Sequence, residues 1–170
     1  MSSEKWFDDY FSSIYSYILL QVKDPHTAED LTQETFLKVV ANEHKFKGES
    51  SVKTWIFRIA YTTTMSYFRK KNPLFYYIDT NILCSKHDTS PEEIALLNSQ
   101  QKQFYDALRG LKPSYQQVII LRKIQGFSTK EASAILHCSE GKVKMTLSRA
   151  LAVFKKDLEK GGVTNETLIR

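Results

Sequence analysis

A set of basic and polar residues near the end of the sequence has the spacing of a helix face that reads nucleic acid. Lys142, Met145 and Arg149 recur at intervals of three and four, with Lys144 and Ser148 at their flanks. The opposite side of the same helix is apolar, through Val143, Leu147, Ala150, Leu151 and Phe154. A guanidinium can pair with two acceptors on a guanine edge, whereas lysines suit phosphates or single contacts.

The segment before this helix completes a DNA-binding arrangement. Ser128 and Glu131 form a capping box that starts a short helix, and Ser139 starts the long helix after a tight turn over 137–139. A short helix, a three-residue turn and a basic helix with an apolar seam predict a helix-turn-helix, whose second helix enters the major groove. The alternative is an antiparallel helix pair whose lysine-rich face is merely solvated.

A helix near the N-terminus carries an acidic face with a leucine inside it. Asp24 and Pro25 start this helix as its cap and its first residue. At positions i, i+3, i+4 and i+7, one face presents Asp30, Gln33, Glu34 and Leu37. The opposite, apolar face is formed by Ala28, Leu31, Phe36, Val39 and Val40. Acids around an apolar centre suit a partner with a basic surface, but a plain solvated surface is an equal alternative.

The next helix, ending near residue 71, combines two apolar stripes with basic residues. One stripe consists of Val52, Ile56, Ile59 and Thr63, and the other of Phe57, Tyr61 and Phe68. Two stripes favour a helix that is sandwiched inside a bundle. Alternatively, the aromatic stripe binds single-stranded or melting DNA by stacking on its bases. The cations that would then pair with the DNA backbone are Lys53, Arg58, Arg69 and Lys70.

Helical periodicity runs through the chain, and no strand-like alternation of useful length interrupts it. We predict an all-α fold of two small helical domains, 1–72 and 91–170, joined by a flexible linker over 73–90. The linker has no sustained period, whereas Ser90 and Pro91 are a strong helix start. The net charge is +1 over residues 1–71, −3 over 72–100 and +7 over 101–170, so the C-terminal part favours a polyanionic partner.

Composition and spacing exclude several classes of protein. The 42% of hydrophobic residues is too high for a disordered chain, and no apolar run approaches the ~20 residues of a membrane span. The start of the sequence shows no secretion signal, and Cys84 and Cys138 have no metal-ligand spacing, so we expect a cytoplasmic protein without metal or cofactor. No carboxylate cluster, nucleophile setting or phosphate loop supports a nuclease or recombinase, so we expect no enzyme.

Two motifs in this order resemble those of a known family. AEDLTQETFL over 28–37 and TWIFRIA over 54–60, followed by a basic helix end, a linker and a helix-turn-helix, resemble a bacterial RNA polymerase sigma factor. The length is similar to that of the extracytoplasmic-function, or group IV, type of the sigma-70 family. The resemblance covers about residues 10–156.

The resemblance implies a role for each candidate surface. The first domain resembles sigma region two, whose acidic helix docks on the clamp helices of the largest polymerase subunit, here through Asp30, Gln33, Glu34 and Leu37. Melting and reading of the minus-ten promoter element would fall to Lys53, Trp55, Arg58, Tyr61, Thr62, Arg69 and Lys70. The second domain resembles sigma region four, which reads the minus-thirty-five element, here through Lys142, Lys144, Met145, Ser148 and Arg149.

The resemblance also implies binding partners, and this sequence differs from the family pattern at one position. A sigma factor binds core RNA polymerase and promoter DNA, and an anti-sigma factor that masks these surfaces is expected. The family commonly has Asn where this chain has Thr62, which offers a hydroxyl and a methyl in place of an amide. The expected function is that of an alternative sigma factor. The alternative, a stand-alone helix-turn-helix regulator, leaves the AEDLTQETF segment unexplained.

Overall fold

The computed structural model describes residues 3–71 and 99–161, and within these ranges the chain forms seven α-helices and no strand. In chain order they are α1 (Ser3–Val22), α2 (Pro25–Asn42), α3 (Val52–Lys71), α4 (Ser99–Gly110), α5 (Pro113–Ile119), α6 (Thr129–Leu136) and α7 (Glu140–Lys160). The prediction of an all-α fold with two helical domains is confirmed. The predicted linker over 73–90 and the helix start at Ser90 and Pro91 lie outside the described residues.

Local hydrogen bonds explain where the N-terminal helices begin. The Asp24 carboxylate accepts from the Thr27 backbone N–H at 2.8 Å and from its hydroxyl at 2.6 Å, and these bonds lower the pKa of Asp24. Ser51 starts α3 in the same way, because its Oγ accepts from the Thr54 N–H at 3.1 Å. The start of α2 therefore lies where the sequence predicts it.

Aromatic side chains fill the first domain. The Trp6 ring packs edge-on against Trp55 and Phe46, with ring centroids 6.0 and 5.8 Å away. Tyr17 of α1 and Phe57 of α3 are fully buried, with their ring centroids 5.2 Å apart. This core ties α3, the helix with the predicted minus-ten residues, to α1.

The second domain wraps α4, α5 and α6 around the apolar side of α7. Phe104 of α4 meets Phe154 of α7 edge-on at 5.2 Å, and Phe154 is 2% exposed. A π-helical turn extends α5 over Ile120–Ile124. Gly126 follows it with a φ of 75°, a left-handed conformation that glycine adopts without strain. The capping box before α6 is present, because Ser128 N–H donates to Glu131 Oε2 at 2.8 Å and Glu131 N–H donates to Ser128 Oγ at 3.1 Å.

The two domains also pack against each other, which the sequence does not predict. Phe57 of α3 meets Phe127 of the second domain edge-on, with ring centroids 4.8 Å apart. Phe127 is 3% exposed, so the apolar core is continuous across the domain boundary. The interpretation of α3 as a sandwiched helix is therefore correct for Phe57.

We expect Ser128→Ala to lower the free energy of unfolding by about 1 kcal/mol, the usual cost of losing a helix cap. Alanine leaves the Glu131 N–H without its side-chain acceptor at the start of α6. Urea titration of both proteins measures the difference. Ser12→Ala, at an exposed position within α1, is the control and should change stability by less than about 0.5 kcal/mol. Equal stability of Ser128→Ala and wild type would contradict a working cap.

Candidate nucleic-acid interface

The long helix α7 presents the predicted reading face to solvent. Ser139 caps it by accepting from the Lys142 N–H at 3.1 Å. Its apolar side is buried in the domain, with Val143 1% and Ala150 0% exposed. The predicted minus-thirty-five residues are all exposed: Lys142, Lys144, Met145, Ser148 and Arg149. The helix thus anchors one side in the core and leaves a basic face outward.

The turn before α7 sets the angle between the two helices. His137 has a φ of 54°, a left-handed conformation that ends α6, and the Cys138 N–H donates to Ser133 O at 3.2 Å. The predicted helix-turn-helix is therefore present. Burial raises the pKa of the Cys138 thiol, which disfavours a reactive thiolate there, and Cys84 lies outside the described residues.

The acidic face of α2 is exposed, and it is wider than the sequence predicts. Asp30, Gln33 and Glu34 are exposed, and Leu37 keeps 71% of its surface in solvent. Val40 is 57% exposed, so its placement on the apolar, buried face was wrong. The 3.6-residue period sets Val40 close to Gln33 and Leu37, at the edge of the buried stripe. Two apolar side chains therefore lie within the acidic face.

The predicted minus-ten residues are divided between structural and exposed positions. Trp55 is half-buried against Trp6 and Phe46, so one part of its ring belongs to the core. Thr62 is exposed, but its hydroxyl donates to the Arg58 carbonyl at 2.9 Å within the same helix. The bond leaves the methyl group and the oxygen lone pairs of Thr62 for a ligand. Exposed at the end of α3 are Arg69 and Lys70.

The remaining three minus-ten candidates lie at the domain boundary. Lys53 Nζ donates to the Gln125 carbonyl of the second domain at 3.1 Å. Arg58 Nη2 lies 3.4 Å from His137 Nδ1, and the Tyr61 ring centroid lies 6.4 Å from that of His137. Burial and the nearby Arg58 lower the pKa of His137, which therefore faces the guanidinium as a neutral imidazole at neutral pH.

A cavity of about 330 Å³ opens beside these residues. Its lining combines cationic, aromatic and hydroxyl groups of the first domain with one residue of the second: Lys38, Asn42, Trp55, Arg58, Ile59, Thr62, Thr63 and His137. Lys38 is held by Glu34 at 2.7 Å and by the Thr63 hydroxyl at 3.1 Å. Cations next to an aromatic ring are groups that bind an unstacked nucleotide.

Family models match both halves of the chain, Sigma-70 region 2 over residues 6–73 and Sigma-70, region 4 over residues 101–153. The ECF RNA polymerase sigma factor SigX of Bacillus subtilis (strain 168) is 35% identical over 90% of this chain and 81% of the relative. The chain belongs to the sigma-70 family. The RNA polymerase sigma factor YlaC of the same organism is 32% identical over a stretch that covers 94% of this chain and 93% of the YlaC chain.

A solved structure has the same fold as this sigma factor over most of its length. RpoE in complex with the anti-sigma factor NepR from Bartonella quintana covers 92% of this chain and 96% of its own, with a TM-score of 0.72 and 25% identity. CnrH in complex with the cytosolic domain of CnrY has a TM-score of 0.70 over 93% of this chain; at 18% identity this likeness shows a shared fold alone. As an alternative sigma factor, the protein directs RNA polymerase to promoters.

The helices of this sigma factor correspond to the two matched regions. Region 2 spans α1 to α3, and region 4 spans α4 to α6 and most of α7. No helix in the described ranges is long and apolar enough to cross a membrane, and no group of three or more metal-ligating side chains occurs there. Sequence patterns do not single out His137 or Val40 as candidate site residues, because His137 lies in the turn between two helices and Val40 lies at the boundary between the buried stripe and the acidic face of α2.

Proposed function

We propose that this sigma factor divides its work among three helices: α2 holds core polymerase, α3 captures the minus-ten element and α7 reads the minus-thirty-five element. The observation that supports the division is the separation of two exposed faces of opposite charge, acidic on α2 and basic on α7. A protein that binds a basic subunit surface and DNA at once needs such a separation.

On α2, the two apolar side chains supply the centre of the proposed polymerase interface and the acids supply its rim. Leu37 and Val40 together expose a patch that association would remove from water. Asp30, Gln33 and Glu34 surround it with acceptors for a basic partner. Charged groups at a rim steer association and select the partner, while the buried apolar centre contributes most of the affinity.

On α3, the cavity is the proposed place for a base removed from the duplex. Trp55 offers an aromatic edge, and Arg58 offers a cation at the mouth of the cavity. Thr62 would contact the base through its methyl group and its free lone pairs, since its proton is engaged with Arg58 O. Arg69 and Lys70 would pair with phosphates further along the strand.

On α7, Arg149 is the residue best suited to base reading, because a guanidinium binds the two acceptors of guanine at once. Lys142 and Lys144 are placed for phosphates or single contacts. Two DNA readers on one polymerase-bound chain act together, since binding by one raises the effective concentration of the other.

We further propose that the protein works without catalysis or cofactor of its own, in the cytoplasm where its polymerase is. An anti-sigma factor is its proposed regulator, because its structural neighbours RpoE and CnrH were solved with their partners NepR and CnrY. Run-off transcription with core polymerase and a promoter library tests the proposed function. Transcripts that require the protein would support it, and a protein that binds DNA but never polymerase would be a stand-alone regulator.

A further inference from the structure

The basic face of α7 continues beyond the residues that are proposed to read the minus-thirty-five element. Lys142 and Arg149 are seven residues apart, and a further seven residues lead to Lys156. Seven residues are close to two full turns of an α-helix, so each step changes the direction of the side chain by only about 20°. Because Lys142, Arg149 and Lys156 are all exposed, they form one basic strip along α7.

Lys156 belongs to α7 but lies outside the stretch that matches the family. The Sigma-70, region 4 match ends at residue 153, whereas α7 continues to Lys160. No role for Lys156 therefore follows from the family match. Its role has to be inferred from where the helix places it and from the charges around it.

The surface between Arg149 and Lys156 is suited to close approach by a polyanion. The residues that lie between them on this side are Ala152 and Val153, which are exposed and uncharged, and Val153 keeps 41% of its surface in solvent. No carboxylate therefore separates the two cations or repels a phosphate there. An apolar surface of this kind can contact deoxyribose while the neighbouring cations pair with phosphates.

The charge of Lys156 is available to a ligand. The ion pair at this end of α7 joins Lys160 Nζ to Asp157 Oδ1 at 3.9 Å. In the part of the chain that the structure describes, no carboxylate oxygen lies within 4.0 Å of the Lys156 ammonium. A lysine that neutralises a DNA phosphate releases counterions, and this release is the main source of affinity that does not depend on sequence.

The position of Lys156 along α7 determines which part of the DNA it meets. It lies about 10.5 Å beyond Arg149 along the helix axis, which is close to the ~12 Å width of the major groove. Since the groove curves around the DNA, a straight helix whose Arg149 touches base edges rises toward the phosphates over this distance. The flexible four-carbon stem of lysine lets its ammonium reach such a phosphate. In other DNA-binding folds, the C-terminal end of the groove-bound helix likewise contacts the backbone.

We propose that Lys156 extends the DNA contact of α7 past the minus-thirty-five bases, by binding a backbone phosphate at the edge of the major groove next to the bases that Arg149 reads. The contact adds affinity that does not depend on sequence and fixes the register of α7 on the duplex, while the choice of bases stays with Arg149. This inference rests on the proposed reading role of α7.

Three variants test the contact. Lys156→Ala removes the ammonium, and Lys156→Arg keeps a positive charge at the same place. The matched control is Lys102→Ala, which removes the same charge from an exposed position of α4. Because α4 packs through Phe104 against Phe154 on the buried side of α7, Lys102 lies on a helix opposite the basic strip. Circular dichroism verifies that each variant is folded.

Holoenzymes that contain wild type or a variant are titrated onto cognate and scrambled minus-thirty-five duplexes, with fluorescence anisotropy as the readout. Lys156→Ala should lower the slope of log affinity against log salt by about 0.9 on both duplexes, so that the advantage of wild type shrinks about 3.5-fold between about 50 and 200 mM salt. The ratio of cognate to scrambled affinity should stay that of wild type. Lys156→Arg and Lys102→Ala should keep the wild-type slope.

Other outcomes overturn the proposal in distinguishable ways. An unchanged slope for Lys156→Ala, with a wild type that prefers the cognate duplex, would mean that Lys156 is merely solvated. The same loss for Lys102→Ala would mean that net charge acts and not the basic strip, and a loss confined to the cognate duplex would make Lys156 a base reader. A wild type without preference for the cognate duplex, whose slope still depends on Lys156, would contradict the reading role of α7 but support the phosphate contact.

Discussion

Replacing Asp30 and Glu34 together by arginine should abolish capture of core RNA polymerase at concentrations that saturate wild type. Both side chains are exposed on α2, where Asp30 lies about two turns and Glu34 about one turn before Leu37. The substitutions put two positive charges where the partner is expected to be basic. Like charges brought together at an interface cost several kcal/mol, so the dissociation constant should rise about a hundredfold or more.

The loss of binding should not come from unfolding. Glu34 forms an exposed pair with Lys38 one turn further along α2, and such pairs stabilise by only about 0.3–0.5 kcal/mol. Affinity is measured by titrating labelled protein with core polymerase. The control is Asp8→Arg/Asp9→Arg, which makes the same charge change at exposed positions of α1. Equal polymerase affinity of the α2 double variant and wild type would remove α2 from the interface.

Arg149→Ala and Lys142→Ala should weaken DNA binding in different ways. Arg149 is expected to pair with a guanine edge, so its loss should cost about 1–3 kcal/mol at the cognate site and relax the sequence preference there. Lys142 is expected to pair with phosphate, so its loss should weaken all sequences alike and lower the slope of affinity against salt by about one.

Anisotropy titrations of the holoenzyme on a cognate and a scrambled minus-thirty-five duplex, over a series of salt concentrations, separate these effects. The control is Lys155→Ala, because Lys155 is exposed on α7 but lies six residues, or about 9 Å, beyond Arg149 along the helix axis. It should keep the wild-type preference. The same loss of affinity on both duplexes for Arg149→Ala would contradict base reading by this residue.

Sequence patterns predict the helices of this protein well because their starts are determined locally. Asp24, Ser51, Ser128 and Ser139 cap helices through residues three positions away, so each cap is visible in a short stretch of sequence. The exposed face of α7 follows equally from the 3.6-residue period. Helix caps and helix faces can therefore be predicted from a short stretch of sequence without knowing how the rest of the chain folds.

The contacts between domains could not be predicted in this way. Gln117 and Tyr17 are one hundred positions apart, and a glutamine in a helix shows no pattern that names its partner. Phe57 lies on one of two apolar stripes of α3, and sequence alone leaves open whether that stripe meets protein or nucleic acid. The sequence places Val40 on the apolar face of α2, but a residue at the edge of that face is exposed by a small rotation of the helix about its axis.

Run-off transcription on a genomic promoter library tests most directly that this chain is a sigma factor using α2 to hold polymerase. Core polymerase alone, polymerase with wild type and polymerase with Asp30→Arg/Glu34→Arg are compared at equal concentrations. We predict discrete transcripts with wild type and only background in the other two reactions. The absence of transcripts that depend on the wild-type protein would contradict its assignment as a sigma factor, and full activity of the double variant would contradict docking through α2.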